Sequence, residues 1–108
     1  MRTIIFFDLP NVYTNDKRNY TKFRRFLINE GFIMMQESVY SKLMMNSQQI
    51  QLLIQRIKRN APKKGIIQVL NVTENQYAQI EYIIGSNNTK ILDNEERLVI
   101  IWKLKFLL

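Results

Sequence analysis

Arg2-Thr3-Ile4-Ile5-Phe6-Phe7-Asp8-Leu9-Pro10 is the stretch that decides the fold. Ile4 to Phe7 is an unbroken apolar run, which a strand carries when both of its faces are covered. Asp8 closes the run and is the only carboxylate among the first fifteen residues. Leu9-Pro10 then breaks the strand, and Asn11 to Asn15 reads as a polar loop. A lone acid at the carboxyl end of a first buried strand is a typical place for a polar or metal site. One carboxylate holds Mg²⁺ poorly, so a metal reading needs a second Asp8 from a symmetry mate.

Outward from this strand, the spacing predicts a helix from near Asn15 or Asp16 to Glu30, with Gly31 as its stop. Its apolar stripe is Tyr20, Phe23, Phe26 and Leu27. Arg18, Lys22 and Arg25 repeat on the opposite side, flanked by Lys17 and Arg24. Phe32 to Met35 reads as a second strand and Ser38 to Leu43 as a third, with a tight reversal at Gln36-Glu37. Asn46 with Gln49 opens a second helix in a capping-box-like pattern. Ile50, Leu53, Ile54 and Ile57 form the buried stripe of that helix, and Asn60-Ala61-Pro62 ends it. Lys63-Lys64-Gly65 is a basic turn into a fourth strand, Ile66 to Val72. Thr73 and Gln76 cap a short third helix with a stripe of Tyr77, Ile80 and Ile84, closed by Gly85. Beyond it come a polar loop at residues 86–90, an acidic turn at 93–96, a fifth strand at 98–102 and a basic-apolar tail at 103–108.

Strand, helix, strand, strand, helix, strand is the ferredoxin-like βαββαβ order, an α+β fold with an antiparallel sheet and here an extra C-terminal strand. Two helices cover one sheet face. An apolar first strand leaves the other face in need of a cover, and a second copy of the chain is the simplest one. The chain of 108 residues fits one such domain. Residues 97–108 are expected to serve as a dimerisation strand and tail, because so apolar a terminus needs a docking surface.

Composition narrows the chemistry. With no cysteine and no histidine there is no disulfide, no thiolate metal site, no Ser-His or Cys-His triad and no usual zinc ligand. Any metal is a hard cation held by oxygen. Sixteen Lys and Arg against nine Asp and Glu give a net charge of +7, which suits a polyanionic partner, most often nucleic acid. No secretory pattern opens the chain, and its apolar runs are too short to span a bilayer. The expectation is a cytoplasmic protein with no membrane partner.

Lys17, Arg18, Lys22 and Arg25, extended by Lys42, Lys63 and Lys64, are the candidate nucleic-acid-binding residues. The alternative is an ordinary solvated helix face. Asp8 is the candidate metal ligand, one from each protomer. Its alternative is a strand-end cap bonded to loop amides near Asn11 and Val12. Phe6, Phe7, Phe23, Phe26, Phe32 and Tyr77 fall on apolar stripes and read as core. Tyr13 and Tyr40 are the possible exceptions. Lys64-Gly65-Ile66-Ile67-Gln68-Val69 starts like the signature of RNA-recognition domains of this fold but has isoleucines where the stacking aromatics belong.

The strand with Asp8-Leu9-Pro10, the helix Tyr20-Thr21-Lys22-Phe23-Arg24-Arg25-Phe26-Leu27 and Glu30-Gly31-Phe32 together resemble the CRISPR-associated Cas2 family. So do Gln36-Glu37-Ser38-Val39-Tyr40-Ser41-Lys42 and the turn Pro62-Lys63-Lys64-Gly65. The resemblance runs in order over nearly the whole chain and is closest to members that accompany the large single-protein RNA-guided nuclease. It implies a homodimeric, DNA-binding adaptor of the CRISPR spacer-acquisition complex, bridging dimers of an integrase subunit and holding double-stranded spacer DNA between them. It also implies Mg²⁺-dependent endonuclease activity, on RNA or on double-stranded DNA, with the paired Asp8 residues as metal ligands and catalytic groups. A ribonuclease toxin on the same fold is a third reading.

Overall fold

The computed structural model describes residues 1–86. Its elements in chain order are β1 (Arg2–Asp8), α1 (Thr14–Asn29), β2 (Ile33–Gln36), β3 (Val39–Leu43), α2 (Ser47–Asn60), β4 (Ile66–Val72) and α3 (Glu74–Ala78). The four strands form one sheet in the order β2-β3-β1-β4 with antiparallel neighbours. This is the expected ferredoxin-like arrangement, with β1 in the interior. The expected fifth strand at 98–102, the turn at 93–96 and the tail at 103–108 lie outside the described residues. Among the described residues no helix is long and apolar enough to cross a membrane.

Alternation along β1 sorts its side chains onto two faces. Ile5 and Phe7 enter the core with Phe23 and Leu27 of α1, Ile50, Leu53 and Ile57 of α2, and Tyr40 of β3. Phe7 is the hub of this core. Its ring lies 5.3 Å from Phe23 edge-on, 5.7 Å from Tyr40 stacked and 5.7 Å from Tyr20 tilted. Offset and edge-on aromatic pairs of this kind add about 0.5–1.5 kcal/mol each beyond area burial. Both helices therefore occupy one face of the sheet.

Arg2, Ile4, Phe6 and Asp8 point to the other face. Leu43 and Leu70 pair with β1 across that face, Ile33 and Ile66 lie at its edges, and all four of these apolar residues are at least 50% exposed. Among the described residues, only α3 covers this face, at the end near Arg2. There the Arg2 guanidinium makes two hydrogen bonds to Glu74, at 2.9 and 3.0 Å, and sits 4.1 Å from the centre of the Tyr77 ring. Charge-assisted paired bonds and a cation–π contact fix α3 there.

Local chemistry accounts for the element ends. The Asp16 carboxylate accepts from the Tyr13 backbone N–H, so α1 starts one residue before the expected Asn15. Asn46 accepts from the Gln49 N–H at 2.8 Å, while the Gln49 amide oxygen reaches back to the Met45 N–H. The β2–β3 reversal falls at Glu37-Ser38 rather than Gln36-Glu37. A register shift between Met34 and Gln36 keeps Gln36 paired to Val39, and Ser38 takes the left-handed conformation at φ 66°. The third helix ends at Ala78 instead of reaching Gly85, and Ile80, Ile83 and Ile84 are exposed. Among the described residues only Tyr77 of this stripe finds a partner, at Arg2, and exposed isoleucines do not extend a short helix.

Candidate nucleic-acid interface and the Asp8 strand end

Asp8 ends β1 opposite Ile66 and is exposed. Among the described residues no group donates a hydrogen bond to its carboxylate, so the alternative reading of a cap on the Asn11 and Val12 amides is not met there. The side chain borders a shallow hollow of about 250 Å³ shared with Phe6, Ser38, Val39 and Gln68. Its place on the uncovered face, at the rim of the apolar patch, is what a contribution from two copies requires. Among the described residues no three acidic or other metal-binding side chains cluster.

The turn that enters β4 is locked against this strand end. Gly65 has φ 104°, and a Cβ there would stand 2.7 Å from the Asp8 carbonyl oxygen and 2.8 Å from Leu9 Cδ2. Only glycine fits both the conformation and the gap. The close approach fixes Lys63 and Lys64 beside the β1 end, on the helix side of the sheet, because Leu9 points opposite to Asp8.

The basic residues fall into two neighbouring depressions. Lys17, Arg18, Lys22 and Arg25 line an open groove along α1 with Thr14 and Thr21. Lys22 also belongs to a deeper cleft of about 480 Å³, where it faces Arg59, Lys63 and Lys64. Lys22 therefore lines both groove and cleft, which places the helix cations and the turn cations on adjoining surfaces. Arg59 was not singled out in the sequence. Its place in the last turn of α2, just before Asn60-Ala61-Pro62-Lys63-Lys64, is the signal that marks it.

Lys42 stands apart from this surface. Its ammonium donates to the Glu30 carbonyl at the end of α1, where unpaired carbonyls attract a cation. There it joins a second contact, in which Arg56 of α2 donates to both Glu30 carboxylate oxygens, at 2.8 and 2.9 Å. Those bonds, and behind them the nearby Lys42 charge, hold the Glu30 carboxyl below the usual carboxylate range against the opposing effect of burial. Lys42 is a helix-end anchor here rather than a member of the basic groove. Arg24 is likewise engaged, donating to the Tyr40 hydroxyl at 2.8 Å, and Tyr40 is core. Tyr13 is 74% exposed beside the start of α1. Of the aromatics expected inside, Phe7, Phe23 and Phe32 are buried, whereas Phe6 and Tyr77 are half-buried away from the main core.

Residues 1–80 match the family model described as CRISPR associated protein Cas2. The chain is similar to a protein of Treponema denticola named CRISPR-associated endoribonuclease Cas2, with 48% identity over 101 residues, covering 94% of this chain and 100% of that protein. A protein of the same name from Streptococcus mutans is 46% identical over 101 residues, covering 94% of this chain and 93% of its own. Another, from Lacticaseibacillus rhamnosus, is 42% identical over 101 residues, covering 94% and 100%.

Proposed function

The chain belongs to the Cas2 family, and on that premise we propose that it acts as a homodimeric adaptor in CRISPR spacer acquisition, holding a spacer duplex between dimers of an integrase subunit. The observation that carries the nucleic-acid part is the continuous positive surface of the α1 groove and the Lys63-Lys64 turn. Flexible cations along a helix face suit phosphate contacts, which position a duplex without reading its sequence. The dimer follows from the uncovered sheet face, whose exposed Ile33, Leu43, Ile66 and Leu70 form an apolar patch that a second copy buries. The integrase partnership is the family's contribution to this reading.

Duplex affinity measured against salt tests it. With about six phosphates neutralised, the log–log slope is expected near −5. Arg18→Ala is expected to shallow that slope by about one. An affinity indifferent to salt would contradict the proposal.

RNA cleavage is the second reading. It is favoured by the exposed Asp8 carboxylate, which has no partner among the described residues, and by the name endoribonuclease that the relatives carry. The residues fit a cation only as a pair, with one Asp8 from each protomer and water completing the oxygen shell. Mg²⁺ held there would stabilise charge on a phosphodiester and lower the pKa of a bound water. Asp8→Asn is expected to abolish RNA cleavage while leaving duplex affinity and its salt slope unchanged. Cleavage by the variant at the parent rate would remove Asp8 from the chemistry.

A further inference from the structure

The cleft beside Lys22 has features that a duplex backbone does not need. Its volume of about 480 Å³ lies within the range of small-ligand sites, well above the needs of a lone phosphate. Leu9, Pro10, Phe23 and Pro62 give it an apolar floor, of which Leu9 and Phe23 are part of the protein core. The two walls differ. Asn15 and Asn19 on α1 carry neutral amides, the Asn15 oxygen accepting from Arg18 at 3.5 Å, while Arg59, Lys63 and Lys64 bring cations from the end of α2 and the turn after it. Asp16 also lines the cleft, but its carboxylate accepts from the Tyr13 N–H and is held toward the helix start.

We propose that this cleft seats one unpaired nucleotide, with its base on the apolar floor between the α1 amides and its phosphate on Lys63, Lys64 and Lys22. The inference deepens the nucleic-acid reading and rests on it. A paired base cannot leave its stack to reach such a floor without the cost of unpairing, so the natural occupant is a strand end or a single-stranded overhang. Amide side chains carry both donors and acceptors and match base edges of either kind. Leu9 faces this cleft and Asp8 faces the other side of the sheet, so a nucleotide seated here is held away from its own protomer's carboxylate. The cleft is a holding site and not a cleavage site.

The test is a titration of the isotope-labelled full chain, followed by amide NMR, with AMP, CMP, GMP and UMP in turn and with adenosine and inorganic phosphate in separate arms. At least one nucleotide is expected to give saturable shifts confined to the cleft, around Leu9, Asn19, Lys22 and residues 61–64. Adenosine and phosphate are each expected to bind roughly tenfold more weakly, about 1.4 kcal/mol. Asn19→Trp, at an exposed position of α1, fills the cleft mouth and is expected to remove those shifts while the duplex salt slope persists. Lys63→Ala is expected to weaken the nucleotide several-fold. The proposal fails if phosphate binds as well as every nucleotide, if the shifts spread over the whole basic face, or if Asn19→Trp changes nothing. Failure here with a retained duplex salt slope removes the cleft alone, whereas loss of both removes the nucleic-acid reading itself.

Discussion

Asp8 and Gly65 show two kinds of information at the residue scale. Asp8 stands out in the sequence because a carboxylate closes an apolar strand, and the structure places it exposed and without a hydrogen-bond donor among the described residues. Gly65 reads in the sequence as an ordinary turn residue. Its real constraint is tertiary, because its backbone lies against the Asp8 carbonyl and Leu9. Gly65→Ala adds a Cβ into that contact and forces a left-handed conformation on an L residue, at an expected cost of about 2–3 kcal/mol. Urea unfolding of the variant measures it, and a loss below a few tenths would mean that the turn relaxes freely. Lys42 illustrates the opposite limit. Charge and neighbours suggest a phosphate contact, but only the fold reveals that the side chain reaches the end of α1.

At the scale of elements, the helices and strands were legible wherever periodicity and capping agreed. Asn46 with Gln49, and Ile50, Leu53 and Ile57 after them, locate α2 without help from tertiary structure. The pattern Tyr77, Ile80 and Ile84 misleads, because helical spacing signals a helix only when a surface exists to bury it. The junction of α1, α2 and β3 depends on the Glu30–Arg56 pair and on Lys42. The Glu30 carboxyl titrates lower in the folded protein than in the unfolded chain, where its value is about 4.5. The pair's contribution is therefore complete above that unfolded value and is lost as pH falls through the lowered folded value. Arg56 is partly solvated, which limits the contribution to about 1 kcal/mol. Glu30→Gln is expected to destabilise by that amount in urea unfolding at neutral pH and to match the parent once the parent's Glu30 is protonated. A variant equally destabilised at both pH values would assign the effect to packing.

For the whole molecule, the βαββαβ order gives the sheet, the order places both helices on one face, and the apolar first strand then leaves a second face in search of a cover. That chain of reasoning was available from the sequence, and the sheet order β2-β3-β1-β4 agrees with it. What the sequence could not show is that α3, pinned by Arg2, covers only one end of that face, or that the turn and helix cations converge on one cleft. These depend on residues far apart in the chain. The account's central claim is that two copies meet along the uncovered face, so that their Asp8 strand ends and positive surfaces work as one unit. Mass in solution tests this most directly, by light scattering at micromolar concentration on the parent and on Leu70→Asp, a substitution at a half-exposed position of that face. The account predicts twice the chain mass of 13.0 kDa for the parent and a folded species of single mass for Leu70→Asp. A parent of single mass, or a variant that still doubles, would contradict it.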